Sequence, residues 1–570
     1  MSGICGVVNF KGRQINKDTL KKMVDFIDYR GPDGINYLVE DNVGLVNLAF
    51  NTTPESLLEK QPLLRGDLIL TADARVDNRE QLINILRDKG YLRGIKHTDA
   101  DLILAAYECW EENCPKHIIG DFAFAVWDKS KEKLFIARDT TGLRQLFYSF
   151  NDNTLFFASA MQPIAHALPK MPSLNIQLMQ DFLHRSFNLW TCQTIFKGVS
   201  RLPPAHSITA ENGSFKKQLY YIFGQQPKPD FSNDEEWIDA FHNLLDEILI
   251  NQLRSITPVG IWVSGGLDSS ALACQTYHLR KKNSDLSEIK LISGVFDDIP
   301  SANEKHYFDS VADYCEGTPV RYVISDDKWA FCELGQDDDF PLDEPDIWEL
   351  RGYTRGIMKA TREEGCSVYL TGLGCDDLVG QAFYHIPVAL RDVKLKDWTQ
   401  EISWFKKKGG FKLANLLLKA YLFPIIPNNL VLKFWRLLNH DNLDWLNKNY
   451  KASDRNSCKL KENFYKPPGL DSYGLKSYQM LRNPWFTSSF DIFGIMAFHN
   501  GIELRQPYLD RRMIEFLIKV PNHLRSFNGV TRVLLRESMM DKMPENVRTR
   551  SDKGLVTELY YNGFHKEKKE

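Results

Sequence analysis

Over the first 210 residues the apolar positions fall in short runs broken by turn residues. Ile4 to Phe10, Val43 to Ala49, Leu68 to Ala72, Phe122 to Trp127, Leu134 to Ile136 and Leu155 to Ala158 each predict a strand, with turns such as Arg30-Gly31-Pro32-Asp33-Gly34 between runs. Only two stretches carry a helical period in this part. One is Thr19 to Ile27; the other is Asp99 to Trp110, where Leu102, Ala105, Ala106 and Cys109 share a face. Packed β-sheets with few helices are the expectation. The polar stretch Gly224-Gln225-Gln226-Pro227-Lys228-Pro229-Asp230 follows, which places a domain at 1–210, a linker at 211–233 and a second domain at 234–570.

Beyond the linker the rhythm changes to buried strands alternating with helices. A helix at Glu235 to Leu253 precedes the strand Val259 to Val263, and a helix starts at Leu267. A strand at Lys290 to Phe296, a helix through Phe308, Val311, Ala312 and Cys315, and strands at Arg321 to Ile324 and Val368 to Thr371 continue the series. This alternation predicts a doubly wound parallel α/β sheet with its ligand site at the carboxyl ends of the strands. From Gln381 to the C-terminus the pattern reads as mainly helical, with a basic aromatic stretch from Trp404 to Trp435. That stretch fits an amphipathic helical pair with solvated lysines, and a grip on a peptide, a partner or a membrane surface is its other use.

Composition narrows the class. At 570 residues the chain is long enough for three or four domains, and the change of rhythm reduces this to two. Lys+Arg 71 against Asp+Glu 74 gives a net charge of -3, with 43% hydrophobic and 25% charged residues, an ordinary globular balance. Disordered, collagen-like and nucleic-acid-coating proteins are excluded, and no nucleic-acid partner is expected. The ten cysteines show no CxxC and no regular spacing, which argues against a disulfide framework or a structural zinc site. No signal peptide is visible, and the longest apolar stretch, Leu413 to Ile426, is interrupted by Asn415, Lys419 and Pro424. It is shorter than the ~20 residues a bilayer span needs, so a cytoplasmic chain without a transmembrane segment is expected.

The richest chemistry lies in Ser264-Gly265-Gly266-Leu267-Asp268-Ser269-Ser270, between an apolar strand and a helix. Two glycines let backbone N–H groups approach phosphate oxygens, the helix N-terminus adds positive partial charge, and the serines Ser264, Ser269 and Ser270 add donors. Asp268 can hold Mg2+. The Gly-Lys-Ser/Thr ending of kinase-type loops is missing, which suits a grip on pyrophosphate as leaving group and transfer of AMP. A second cluster, Thr371-Gly372-Leu373-Gly374-Cys375-Asp376-Asp377, puts flexible backbone and two carboxylates at another strand end. An unliganded turn is the alternative reading of each.

These segments resemble the asparagine synthetase family over nearly the whole chain. Ser264 to Ser270 is similar to its pyrophosphatase-type ATP loop, and Gly372 to Asp377 to its second nucleotide motif. Ile502 to Asp510 resembles the family's LEARxPFLD segment, and Arg548 to Gly554 its late lysine segment. In the first domain Arg30 to Gly34, Gly120 to Ala125 and Arg138-Asp139 resemble the glutamine amidotransferase half. The resemblance implies an N-terminal-nucleophile β-sandwich followed by an α/β ATP domain. It further implies ATP contacts at Trp262, Val263, Gly294, Thr371, Gly372 and Leu373, a shared Mg2+ on Asp268 and Asp376, a catalytic Lys553, and Arg532 on pyrophosphate.

Departures from the family are as informative. Its glutaminase uses a cysteine next to the initiator methionine, where this chain has Ser2; Cys5 has no free α-amine to serve as base and is no substitute. Where the family reads NGEIYN, this chain reads Asp73-Ala74-Arg75-Val76-Asp77-Asn78, and the cation at Arg75 would repel the glutamine ammonium. Leu48-Ala49-Phe50-Asn51 stands where an arginine should clasp the glutamine carboxylate, although Asp99 persists. Ser2, Asp73, Arg75 and Asp99 are therefore expected to form a degenerate glutaminase site. Leu373 replaces the proton-handling residue of relatives, which leaves Asp377, Glu344, Asp346 and Glu349 as candidate bases. A peptide α-amine with a pKa of about 7.7–8.0 would need little help.

Kept adenylation with lost glutaminase points to β-lactam synthetases or to the cyclases that close lasso-peptide rings. Thr52 to Ser56, Ala72 to Arg79 and Arg201 to His206 look most like the lasso cyclases. The expected partners are then a precursor peptide, a leader peptidase and a leader-binding protein. A glutamine-hydrolysing asparagine synthetase, a β-lactam synthetase acting on a small β-amino acid, and a non-catalytic scaffold are the alternatives.

Overall fold

A computed structural model describes residues 2–183, 192–329, 332, 350–380, 470, 472–527, 530–554 and 556–567. The candidate bases Glu344, Asp346 and Glu349 and the 404–435 stretch lie outside these residues.

The N-terminal part is two six-stranded antiparallel sheets packed face to face. One sheet runs Ser200–Arg201, Phe147–Asn151, Thr154–Ala158, Gly3–Asn9, Val43–Ala49, Gly34–Glu40 in spatial order. The other runs Ser214–Leu219, His206–Glu211, Lys133–Arg138, Gly120–Asp128, Leu68–Val76, Leu63–Arg65. Alternate residues of each inner strand serve two different cores. Ile4 and Val8 point between the sheets to meet Ile69, Ala125 and Ile136, while Cys5 and Val7 point outward under helices Lys17–Val24 and Met161–Ala167. The second sheet is covered in the same way by helices Arg79–Asp88 and Asp99–Trp110. Burial on both faces is why the strand Gly3–Asn9 reads as an unbroken apolar run and not as a polar-apolar alternation.

The C-terminal part holds a five-stranded parallel sheet in the order Val320–Ile324, Ile289–Val295, Val259–Trp262, Val368–Leu370, Glu503–Arg505. Helices Asp234–Gln252, Leu267–Lys282, Lys305–Tyr314 and Arg351–Glu363 pack on it, and two apolar clusters lie on its faces. An N-terminal β-rich sandwich followed by a parallel α/β domain is the architecture the sequence pattern predicted.

Three features differ from the sequence expectation. Residues 214–219, assigned to the linker, form an edge strand paired with His206–Glu211, because a tight turn at Asn212-Gly213 returns the chain onto the sheet. Glu503–Arg505, within the segment expected to be helical, is a sheet strand; three residues carry too little periodicity to stand out from their helical flanks. Helices Arg79–Asp88, Met161–Ala167 and Ile176–Leu183 were not anticipated. Among the described residues no helix is long and apolar enough to cross a membrane.

Candidate active site

The glycine loop leaves the carboxyl end of the strand Val259–Trp262 and caps the helix Leu267–Lys282. Gly265 sits at φ +79°, and a Cβ there would lie 3.0 Å from the carbonyl oxygen of Glu304, so both space and backbone demand glycine. The serines brace the loop from inside: the Ser264 N–H donates to Ser269 Oγ at 3.2 Å, and the Gly266 N–H donates to Ser264 Oγ at 3.3 Å. Val263 is held to the neighbouring strand by its N–H, which donates to the Ile292 carbonyl at 3.0 Å. Ser270 is buried at the first helical turn, with its N–H on the Gly266 carbonyl at 3.2 Å.

The second cluster folds onto this loop. A Cβ on Gly372 would come within 3.1 Å of the Ser269 nitrogen and 3.3 Å of Asp268 Cβ, so the two motifs touch backbone to backbone. Gly374, at φ +87°, starts the short helix Cys375–Val379 that carries Asp376 and Asp377. Arg532 joins the two halves. Its Nε lies 3.1 Å from Asp268 Oδ1, and its Nη2 pairs with Asp376. Burial pushes the Asp268 carboxyl up, with the Arg532 charge opposing. Lys553 reaches the same cluster, its Nζ 3.4 Å from Asp376 Oδ2, with its side chain 78% exposed. Asp377 lies close enough to Lys476, on the helix Ser472–Leu481, to act on its charge; burial lowers the Lys476 pKa to about 7, with Asp377 opposing.

Asp268 is buried with the Arg532 guanidinium as its counter-charge, and together with Asp376 it supplies the carboxylates that could meet a cation here. No group of three or more His, Cys, Asp or Glu placed for a metal occurs among the described residues. Two carboxylates with the balance of ligands from phosphate and water is the set that suits Mg2+ with a nucleotide.

Several residues that build the site were not singled out from the sequence. Arg550 Nη1 donates to the Gly265 carbonyl at 2.7 Å, pairs with Glu304 and lies over the Tyr307 ring at 3.9 Å. The Gly554 N–H donates to Glu304 Oε1 at 2.8 Å, so the 550–554 loop that carries Lys553 is docked directly on the glycine loop. Arg550 lies within the Arg548–Gly554 segment, but Glu304 has no local signal in the sequence. Gly294 has the Tyr353 ring against it, 2.2 Å from where a Cβ would be, and Trp262 and Leu373 belong to the same apolar cluster. Thus Trp262 and Gly294 frame a wall beside the loop, and Leu373 packs there with its N–H on Thr371 Oγ1 at 3.4 Å.

Ser2, Arg75 and Asp99 of the other domain line a polar pocket with Asn47, Gln61 and, from the C-terminal part, Glu503, and Asp73 is bound to Ser2. The Ser2 N–H donates to Asp73 Oδ1 at 2.9 Å, and Ser2 Oγ accepts the Phe50 N–H at 3.2 Å. A carboxylate beside that nitrogen would hold an α-amine in its charged form and oppose its use as a base. Asp99 is tied to Arg79 and to the Val76 N–H, so it is not available for a ligand ammonium. Arg75 is buried and bound by Asp77, Asp121 and Glu503. Cys5 lies under a helix, where burial pushes its thiol pKa far up.

Comparison with known proteins agrees with both halves. A glutamine amidotransferase domain matches residues 1–221 and asparagine synthase matches residues 240–567. Asparagine synthetase (glutamine-hydrolyzing) 3 of Bacillus subtilis is 31% identical over 292 residues, 50% of this chain and 46% of that one. Amidase chry2 of Gibberella zeae is 25% identical, covering 66% of this chain and 56% of that one. Asparagine synthetase (glutamine-hydrolyzing) 2 of Bacillus subtilis is 25% identical, covering 95% of this chain and 70% of that one. The chain thus spans about half the length of the first two of these relatives. With the asparagine synthase match taking in more than half of its residues, the chain belongs to the asparagine synthase family.

Proposed function

We propose that this chain is an ATP-dependent, AMP-forming carbon–nitrogen ligase that closes the macrolactam ring of a lasso peptide. The observation that carries the reading is a contrast between two sites. The glycine loop, the Asp268–Arg532–Asp376 cluster and Lys553 are assembled, while in the pocket around Ser2 the charged groups are already engaged, Arg75 with Glu503, Asp99 with Arg79 and Asp73 with Arg144. A ligase that uses an amine already present in its substrate needs the first site and has no need of the second.

In this reading ATP lies along the N-terminus of the helix Leu267–Lys282, its phosphates meeting the backbone donors of the glycine loop. Asp268 and Asp376 would hold Mg2+, which neutralises phosphate charge when bound. The side-chain carboxylate of an Asp or Glu in the precursor attacks the α-phosphorus, an O–P bond forms, and pyrophosphate leaves toward Arg532. Lys553, free to swing on its exposed stem, stabilises negative charge on the phosphorane and then on the tetrahedral oxyanion. The peptide's N-terminal amine attacks the acyl carbon, the amide C–N bond forms, AMP leaves and the amine loses its proton. Leu373 cannot take that proton, and Asp377 acts on the charge of Lys476. A terminal amine, largely able to deprotonate near pH 8, suits a site built this way. A cytoplasmic location and work beside a leader peptidase and a leader-binding protein belong to the same proposal.

A second reading is glutamine-hydrolysing asparagine synthesis, favoured by the names of two relatives and by Ser2 Oγ facing the pocket. The two separate cleanly. Incubation with ATP, Mg2+ and peptides bearing a free N-terminal amine and one Asp or Glu at varied distance should give AMP and a product lighter by one water. Release of glutamate from glutamine together with conversion of aspartate to asparagine would overturn the cyclase reading.

A further inference from the structure

Arg75 stands where the family has an acid, and its guanidinium crosses the boundary between the two domains. Its Nη1 lies 3.1 Å from Glu503 Oε1, and Arg144 Nη2 reaches the same oxygen at 3.0 Å. Arg505 closes on Glu503 Oε2 at 3.2 Å, and Thr52 Oγ1 bonds that oxygen as well. All four charged groups are almost completely buried, so none can exchange its partner for water.

Glu503 opens the strand that lies beside the one leading into the second nucleotide cluster. Glu503–Arg505 pairs in parallel with Val368–Leu370, and the Thr371 N–H donates to the Arg505 carbonyl at 3.1 Å just where the second nucleotide cluster begins. Three residues on, Tyr508 OH donates to the Asp268 carbonyl at 3.2 Å. Leu509 fills the space beside Gly374, where a Cβ would meet Leu509 Cδ2 at 2.4 Å. Both halves of the nucleotide site therefore rest on residues 505–509, and that segment is anchored at Glu503 by arginines of the N-terminal domain.

We propose that Arg75 is a positioning residue for the nucleotide site, acting through Glu503, and that the former glutamine pocket serves as a buried latch between the domains. The inference rests on the reading of Ser264–Ser270 as an ATP loop. The N-terminal domain is then a required half of the ligase.

The test uses the full chain and α,β-methylene-ATP with Mg2+, titrated calorimetrically. Arg75→Gln should bind the analogue at least tenfold more weakly than the unaltered protein, and Arg75→Lys, which keeps a charge within reach of Glu503, should fall between the two. Tyr508→Phe leaves the arginine cluster intact and should weaken binding about fivefold, a result that does not depend on Arg75→Gln folding. Binding by Arg75→Gln or by Tyr508→Phe within twofold of the unaltered protein would overturn the proposal, as would Arg75→Lys behaving no better than Arg75→Gln. Failure of the unaltered protein to bind the analogue would instead strike at the ATP-loop reading itself and take the latch with it.

Discussion

The polar pocket around Ser2 contains a carboxyl group whose removal should stabilise the protein. Glu59 lines it beside Asp99, and burial followed by the Asp99 charge raises its pKa from 4.5 to about 7. Between these two values the folded chain holds a proton that the unfolded chain has released. Stability is therefore fullest below the unfolded value and is lost as pH rises through about 7. The full shift is equivalent to about 3 kcal/mol. Glu59→Gln removes that penalty but puts an amide NH2 or a single oxygen where the carboxylate accepted both the Ala100 N–H, at 3.2 Å, and the Gln61 amide. One lost hydrogen bond costs about 1 kcal/mol, so the net gain should approach about 2 kcal/mol at pH 8 and vanish or reverse near pH 5. Urea unfolding of the full chain at both pH values, followed by circular dichroism, measures the difference. A gap between variant and parent that is the same at pH 5 and pH 8 would refute the assignment of a buried, proton-retaining Glu59.

Three further outcomes are expected at the nucleotide site. If Lys553 stabilises charge that develops during reaction, as proposed, Lys553→Ala should lower AMP formation at least ~100-fold while leaving the affinity for α,β-methylene-ATP within threefold; steady-state AMP release and calorimetry separate the two. Gly265→Ala, at φ +79° and 3.0 Å from the Glu304 carbonyl, should cost ~1–2 kcal/mol of backbone strain and displace the loop, read as weakened binding of the analogue. Gly294→Ala drives a methyl into the Tyr353 ring, 2.2 Å away, and should lower the thermal midpoint by an amount equivalent to ~1–3 kcal/mol of overpacking.

Much of the site was legible because its chemistry is local in sequence. Ser264 to Ser270 and Thr371 to Asp377 announce themselves by glycines and carboxylates at strand ends, and the fold brings the two together. Arg532 and Lys553, separated from them by long stretches of chain, were placed by resemblance alone, and the structure puts both on Asp376. Arg75 was legible only as a charge of the wrong sign for a glutamine site. Glu304 gave no signal at all, and Tyr508 and Arg550 stood inside family-like segments without a role of their own, since a lone Glu, Tyr or Arg acts only through its neighbours.

By itself the sequence determined that the chain has a β-rich half and a parallel α/β half, because strand and helix periods are set by residues close along the chain. It also determined that a glycine- and serine-rich loop follows the strand Val259–Trp262. The tertiary structure alone decided that Arg75 pairs with Glu503, more than four hundred residues away, and that the strand Glu503–Arg505 joins the sheet beside Val368–Leu370. The reason is physical: a buried charge must find its counter-charge inside the fold, and which one it finds depends on where two domains meet.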